Sequence, residues 1–553
     1  MNIVFAGLNA SYSHTMLSAG YLRAFTERYL SQLSWTTIES TVNDDEGALA
    51  LQLAAARPDV LCGTAYLFNH HVLLRVIARV KAMLPVLRVY LGGPQFLGDN
   101  EGFLRRYPEV DAVLRGDESS FYRLLQGELD APGVCRIAAD GNYRDQGIAR
   151  WDGELDALPS PYQHGYFPPG KPFYLLETSR GCPAHCTFCT SAKTEVQYFS
   201  LDRVRNDLTV LRRTGARAIR VLDRTFNYGG TRPVELLRLF RTEFPELYFH
   251  LEINPALVDE PLLAEIRLFA PGKLHLETGV QSLQPEVLRA IRRPATPEKL
   301  LSGLERLRQT GVPTLHADLI AGLPEQTWPK LQNDVLTLIN ARVEEIQLEL
   351  LKVLPGTVLA VQPSAAGLVR NPEPPYEVLS TGTMSADELY QCRILSVLLD
   401  SWYPVSQLRP LFAFAARQEH FLSEYMAYLR RHGDPLIKPS PMRRLELLET
   451  FAQERGDRKL AELVRFVWLW NGLSPEKYQL RVHKYRNETP PAGTPLWQDA
   501  GGAADAVRCF TADFSCRAGE LLAESSPASI TDLAGRYAFY LRHGQKTTAI
   551  YAV

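Results

Sequence analysis

The first 150 residues alternate short apolar runs with stretches at helical spacing. Ile3–Gly7, Val60–Tyr66, Val89–Leu91 and Ala112–Leu114 are apolar runs, and Trp35–Ser40 alternates with period two. Between them, helical patterns cover Met16–Tyr29, Ala48–Ala56 and Val72–Met83. Strands separated by helices predict an α/β fold with a doubly wound parallel sheet over residues 1–150. Ligands of such sheets sit beyond the carboxyl ends of the strands. Those ends carry Asn9-Ala-Ser11-Tyr12-Ser-His14, Gly63-Thr64-Ala-Tyr66, Gly92-Gly93-Pro94 and Arg115-Gly116-Asp-Glu118. Glycines there let backbone approach a flat or phosphorylated ligand closely.

The pattern breaks at Trp151–Pro172, where Pro159, Pro161, Pro168 and Pro169 mark a linker at 151–172. Strand signals then resume at Phe173–Thr178, Ala218–Leu222, Tyr248–Ile253, Lys273–Thr278, Thr314–Ile320 and Glu345–Leu351. Helical segments Leu201–Arg213, Pro233–Arg241, Pro261–Leu268, Pro285–Ile291 and Pro297–Thr310 lie between them. Six such units predict a partial (β/α)6 barrel over 173–360, with function at the carboxyl ends of its strands. Past Leu351 long helical patterns (Ser385–Ser401, Leu408–His432, Met442–Trp470) predict a mainly helical domain at 361–553. That domain ends in a strand at Tyr478–Tyr485 and a hairpin-like segment, Tyr537–Tyr551, around Gly544.

Composition adds exclusions. The chain has 553 residues, 46% hydrophobic and 22% charged, with formal net charge −2, which suits a multidomain globular enzyme. With no block of like charge, a nucleic-acid partner is not expected. The N-terminus reads as a first strand and not a signal peptide, and no apolar stretch approaches the roughly 18 residues that span a bilayer. Of eight cysteines, Cys62, Cys135, Cys392, Cys509 and Cys516 are scattered without a disulfide framework. Cytoplasmic localisation is the expectation.

The other three cysteines carry the chemistry. Cys182, Cys186 and Cys189 stand in Ser-Arg-Gly-Cys-Pro-Ala-His-Cys-Thr-Phe-Cys. Three thiolates with no fourth nearby suit a cubane iron–sulfur cluster with one open iron; a structural zinc site normally closes with four ligands. The C-x3-C-x2-C spacing, the preceding Arg-Gly and Phe188 before the last cysteine resemble the signature of the radical S-adenosylmethionine (SAM) superfamily. The resemblance implies a [4Fe-4S] cluster whose open iron chelates SAM. It places Phe188, Asp223, Glu252, Glu277, Gln281, Ser282 and Gly322, most of them at later strand ends, as candidate SAM contacts. An alternative reading makes Asp223 a cap on the next helix.

Gly-Gly-Pro after one strand and Arg-Gly-Asp-Glu after the next, upstream of the cysteines, resemble the Rossmann-like (flavodoxin-like) cobalamin-binding domain of cobalamin-dependent radical SAM proteins. The C-terminal region resembles that of a poorly characterised bacterial subgroup. Candidate cobalamin contacts are Asn9, Ser11, Tyr12, His14, Thr64, Tyr66, Gly92, Gly93, Pro94, Gly116 and Glu118. The chain lacks D-x-H-x-x-G, so the lower face of cobalt is expected near Tyr66–Asn69 without a strong ligand. His14 there has two readings, cobalt ligand or hydrogen-bonding loop residue. Glu195, Tyr198 and Arg224 lie at the expected mouth, and no general base is assigned.

The resemblance implies a radical SAM enzyme that transfers a methyl group to carbon. It would act on a small molecule or peptide with an electron donor such as flavodoxin or ferredoxin. Ring rearrangement or cyclisation, nonradical methylation, and cobalamin-free modification of tRNA or protein are the alternatives.

Overall fold

The computed structural model describes all residues except 31, 193, 363–366, 434, 485–493, 501, 524–529, 532–533 and 543–545. It divides into two compact units, Met1–Leu331 with Leu350–Ala386, and Gln332–Glu349 with Asp387–Val553.

The first unit opens with a seven-stranded sheet. Its elements are β1 (Asn2–Asn9), α1 (Leu17–Tyr29), β2 (Ser34–Thr41), α2 (Glu46–Ala55), β3 (Val60–Thr64), α3 (His70–Met83), β4 (Arg88–Gly92), α4 (Glu101–Arg106), β5 (Ala112–Leu114), α5 (Ser119–Leu125), β6 (Val134–Ile137) and β7 (Tyr143–Asp145). The order is β2-β1-β3-β4-β5-β6-β7. The first five strands pair in parallel, as expected of strands separated by helices. β6 and β7 add antiparallel. Neither was visible in the apolar pattern: Val134–Ile137 is short, and Tyr143–Asp145 is polar because it is a sheet edge.

Each face of this sheet buries its own core. On one, Leu49, Leu53, Leu73, Ile77, Phe96 and Leu104 pack α2, α3 and α4 against Val4, Leu61 and Val89. On the other, Met16, Ala19, Phe121 and Leu124 pack α1 and α5 against Ile3, Phe5 and Cys62. Near-continuous burial along β1 is what a central parallel strand requires.

The second sheet of this unit contains, in chain order, β8 (Tyr174–Leu176), β11 (Ala218–Val221), β12 (Tyr248–Ile253), β13 (Leu274–Gln281) and β14 (Thr314–Ala321). They are adjacent in that order and parallel. A hairpin, β9 (Ser179–Cys182) and β10 (Thr194–Tyr198), interrupts the series after β8. Covering helices include α6 (Leu201–Arg213), α7 (Arg232–Glu243), α8 (Glu260–Ile266), α9 (Pro285–Ala290) and α10 (Pro297–Arg308). Ser200, Asp259 and Thr296 cap α6, α8 and α10 through their side chains, worth about 1 kcal/mol each. Phe249 of β12 stacks on Phe240 of α7 at 4.2 Å. The alternate residues, His250 and Glu252, occupy the opposite face of the strand. The sixth expected strand forms at Glu345–Leu350.

In the second unit the expected helices form at Ala386–Trp402, Arg409–Ala416, Phe421–His432, Pro441–Glu454 and Arg458–Trp470. Leu408–His432 is two helices, divided where His420 takes a positive φ of 60°. The unit also holds an antiparallel sheet, His483–Lys484, Arg508–Phe514, Gly535–Leu541, Thr547–Ala552 and Trp497–Gln498 in spatial order. Phe466 sets its ring edge-on to Phe514, Tyr537 and Phe539, so the last helix packs on this sheet. Only His483–Lys484 of the expected strand Tyr478–Tyr485 is extended, because Pro475–Tyr478 turns as a short 3-10 helix. Tyr485 and the hairpin tip at Gly544 lie outside the described residues.

Candidate active site

The cysteine loop leaves the top of β8. Gly181 pairs so closely with β10 that a Cβ would stand 2.0 Å from the Glu195 carbonyl oxygen, and its φ is +102°. Only glycine fits, which is the physical content of the Arg-Gly-Cys run. Cys182 N donates to Thr194 Oγ1 at 2.8 Å and its sulfur lies 3.7 Å from Thr225 Oγ1. Cys189 N donates to the Cys186 carbonyl at 3.3 Å, and Thr187 N to that of Ile291 at 3.0 Å. Phe188 is half-buried between the last two cysteines. Burial raises the Cys189 thiol, and the nearby sulfurs of Cys186 and Cys182 act on it in the same direction. The three thiols thus lie near one another on one loop.

The later strand ends surround this loop unequally. Asp223, just past β11, is buried and accepts from Thr178 N at 2.8 Å, Ser179 N at 3.0 Å and Thr178 Oγ1 at 2.5 Å. It does not cap the next helix, which starts beyond Thr231; the acidic-cap reading is corrected. Burial pushes Glu252 up to about 7, with Arg224 opposing. Glu277 instead meets His250 Nε2 at 2.7 Å, and that hydrogen bond holds its carboxyl low. Gln281 ends β13 with φ +69°, and its Oε1 is buried without a hydrogen-bond partner among the described residues. Ser282 is fully buried and its Oγ accepts from Gln284 N. Gly322 has φ +84° and donates to Gln326 Oε1 at 2.8 Å.

A cavity of about 550 Å³ lies between the strand-end loops of the first sheet and the ends of β8 and β11. Asn9, His14, Tyr66, Gly116 and Glu118 line it, together with Glu177, Arg180 and Arg224. Ser11, Tyr12, Thr64, Gly92, Gly93 and Pro94 are not among its lining residues. Ser11 Oγ bonds His14 Nδ1 at 3.0 Å, and Tyr12 is 74% exposed. Thr64 Oγ1 meets Ser18 Oγ at 2.9 Å. Gly93, at φ +109°, presses on Ala65. Burial lowers His14, with Arg220 and Lys171 adding to it, and Tyr66 stacks on Phe68 at 5.3 Å.

Arg180 ties the two sheets together. Its guanidinium meets Glu118 at 2.9 and 3.1 Å and Glu177 at 3.0 and 3.1 Å, while lying 4.7 Å from the Tyr21 ring centroid. Burial pushes Glu118 up, but Arg180 more than offsets it, so the carboxyl ends low. For Glu177 burial wins and the carboxyl ends high.

Residues 176–338 match the Radical SAM superfamily profile. The chain carries a radical SAM domain. Over a longer stretch, 440 residues, it is 25% identical to the 2-(S-pantetheinyl)-carbapenam-3-carboxylate methyltransferase of Streptantibioticus cattleyicolor, covering 70% of this chain and 63% of the relative. It is 25% identical over 386 residues to the cobalamin-dependent radical SAM methyltransferase TokK of Streptomyces tokunonensis, covering 65% and 56%. The chain therefore spans about three-fifths of the length of these relatives. In fold it is similar to the cobalamin-dependent SAM radical enzyme OxsB solved with aqua-cobalamin and SAM, with TM-score 0.58 and 13% identity over 85% of this chain and 75% of that one.

The donor set of the radical SAM domain fits an iron–sulfur cluster: three thiols on one tight loop and a cation beside them. That cation is Arg293, which the sequence reading missed. Its Nη1 reaches Cys186 Sγ at 3.7 Å and its Nη2 bonds the Gly279 carbonyl. The sequence signal was slight, an Arg-Arg-Pro run after α9, more than a hundred residues beyond the cysteines. Arg180 was visible only as part of a signature. Nothing along the chain pairs it with Glu118, 62 residues away. The cavity fits a large ligand gripped from two sides, with glycine backbone at Gly116 and aromatic faces at Tyr66 and Phe68. No helix among the described residues is long and apolar enough to cross a membrane.

Proposed function

We propose that this protein is a cobalamin-dependent radical SAM methyltransferase that methylates a carbon of a small-molecule or peptide substrate. One observation carries the reading: the strand-end loops of the first sheet and the ends of β8 and β11 wall one cavity, and Arg180, two residues before Cys182, is held there between Glu118 and Glu177. When bound, the cluster and SAM supply one-electron, hydrogen-abstracting chemistry, and cobalamin supplies a methyl carrier. The similarity to TokK and to OxsB supports the same pair of cofactors.

The chain's own residues would then do the following. Cys182, Cys186 and Cys189 hold the cluster, and Arg293 offsets thiolate charge at Cys186. Asp223 fixes the β8–β9 turn through three hydrogen bonds, which keeps the cysteine loop in place. Gln281, with its unpartnered oxygen, and the backbone at Gly322 are the candidate SAM contacts. Asn9, His14, Tyr66, Gly116 and Glu118 line the cobalamin side. Glu252, near neutrality at about 7, is poised to accept or release a proton in the barrel mouth. The reducing electron would come from a protein donor such as flavodoxin or ferredoxin.

The test is iron and cobalt content after anaerobic purification with cobalamin supplied, beside a Cys182→Ala/Cys186→Ala/Cys189→Ala variant. About four iron and one cobalt per chain are expected, with iron alone lost in the variant. Iron without cobalt would remove the first domain from the reading and leave a cobalamin-free radical SAM enzyme.

A further inference from the structure

The helical unit encloses a cavity of its own. Helices Ala386–Trp402, Phe421–His432 and Pro441–Glu454 surround about 310 Å³, with Pro435, Ile437 and Pro439 from the connection between the last two. Val397, Leu398, Trp402, Leu429 and Leu447 supply apolar walls. An apolar cavity of about 150 Å³ is enough to hold benzene. This one has room for an apolar body about twice that size.

The titratable groups of the lining are Tyr425, His432, Arg443 and Arg444, and no carboxylate is among the described residues that line it. The acids nearby are engaged elsewhere. Arg443 Nη1 reaches Glu446 at 3.2 Å, His432 Nε2 lies 4.0 Å from Glu454, and Lys438 meets Asp400 at 2.9 Å. Arg444 differs from these cations. It is half-buried, and its guanidinium is held by backbone alone: Nε donates to the Pro439 carbonyl at 2.8 Å and Nη1 to the Ser401 carbonyl. Its Nη2 makes no hydrogen bond and its charge meets no carboxylate among the described residues. Burial lowers its pKa, with no neighbouring charge opposing. A charge drawn out of water is normally paired within the fold, so Arg444 is a fixed cation at the edge of an apolar cavity with its countercharge still to come.

We propose that this cavity binds a small amphipathic monocarboxylate, with its apolar body against Trp402, Leu429 and Leu447 and its carboxylate on Arg444. A guanidinium meets a carboxylate through a planar fork. Here two carbonyls already orient that fork, so little side-chain freedom is lost on binding. A body about twice the size of benzene is a fused bicyclic aromatic ring or a chain of about ten carbons. The site uses no residue of the radical SAM domain, and its failure would leave the proposed function untouched.

The experiment is calorimetric titration of the full-length, cofactor-loaded protein with naphthalene-2-carboxylate and decanoate, beside the neutral decanol. One-to-one saturable binding of at least one acid is expected. Arg444→Met should weaken it tenfold or more, and Arg444→Lys should retain part of the affinity. Leu429→Trp, which fills the cavity and leaves the contacts of Arg444 in place, should also weaken it tenfold or more; this variant decides if Arg444→Met fails to fold. No saturable heat from either acid overturns the proposal. Unchanged affinity in Leu429→Trp overturns it too, because the acid would then sit elsewhere on the protein. So does decanol bound as tightly as decanoate, which would leave Arg444 without a part in recognition.

Discussion

Replacing Arg180 by leucine is the sharpest test of how the site is held. The guanidinium makes four contacts within 3.1 Å to Glu118 and Glu177, and the three side chains are 24%, 11% and 21% exposed. Leucine fills part of the volume and leaves both carboxylates without a cation. Breaking a buried ion pair by removing one partner costs about 3–5 kcal/mol, and the residual exposure places this case near 3 kcal/mol. The penalty has a pH signature. With Arg180 present, Glu118 is held low, so its stabilisation is complete above its unfolded pKa and fades as pH falls through the folded value. Without Arg180 both glutamates are driven up by burial, and the variant regains stability as acid protonates them. Urea unfolding of the cofactor-free protein between pH 4.5 and 8 should show a gap near 3 kcal/mol at pH 7.5 that narrows by at least half at pH 4.5. The double variant with Glu118→Leu should recover part of the loss. A loss below 1 kcal/mol, or a gap independent of pH, would refute the argument that this triad clamps the two sheets.

Two other predictions concern groups in the barrel mouth. Burial raises Glu252 from 4.5 to about 7; the native state therefore binds its proton more tightly than the unfolded chain, and this group's contribution to stability falls as pH rises from about 4.5 to 7. Glu252→Gln should remove on the order of 2–3 kcal/mol of that slope, read from unfolding free energies across the range; an unchanged slope would show that Glu252 titrates normally. Arg293→Leu, which takes away the cation beside Cys186, should leave three ligands able to load iron but yield a cluster lost several-fold faster in air. Arg293→Lys should fall between the two, and equal lifetimes for all three proteins would remove Arg293 from the cluster's surroundings.

Much of this protein follows from local chemistry. The apolar runs and helical patterns outlined both parallel series, because a strand buried on both faces must be apolar along its length and its crossover helix must be amphipathic. Cys182, Cys186 and Cys189 were legible as a set because they lie within one short loop of the chain. Asp223, Glu252 and Glu277 were placed near the mouth because strand ends in a parallel barrel share one rim. The roles those acids take were decided elsewhere. Asp223 accepts from Thr178 and Ser179, 45 and 44 residues away, and Glu277 meets His250, 27 residues away. The same residue type ends high at Glu252, where burial dominates, and low at Glu277, where the hydrogen bond from His250 does. Arg293 beside Cys186 and Arg444 at the edge of its cavity leave no periodicity at all. Hydrophobic spacing is set by the element a residue occupies, whereas a charge or an amide takes its function from what the fold brings within about 3 Å of it.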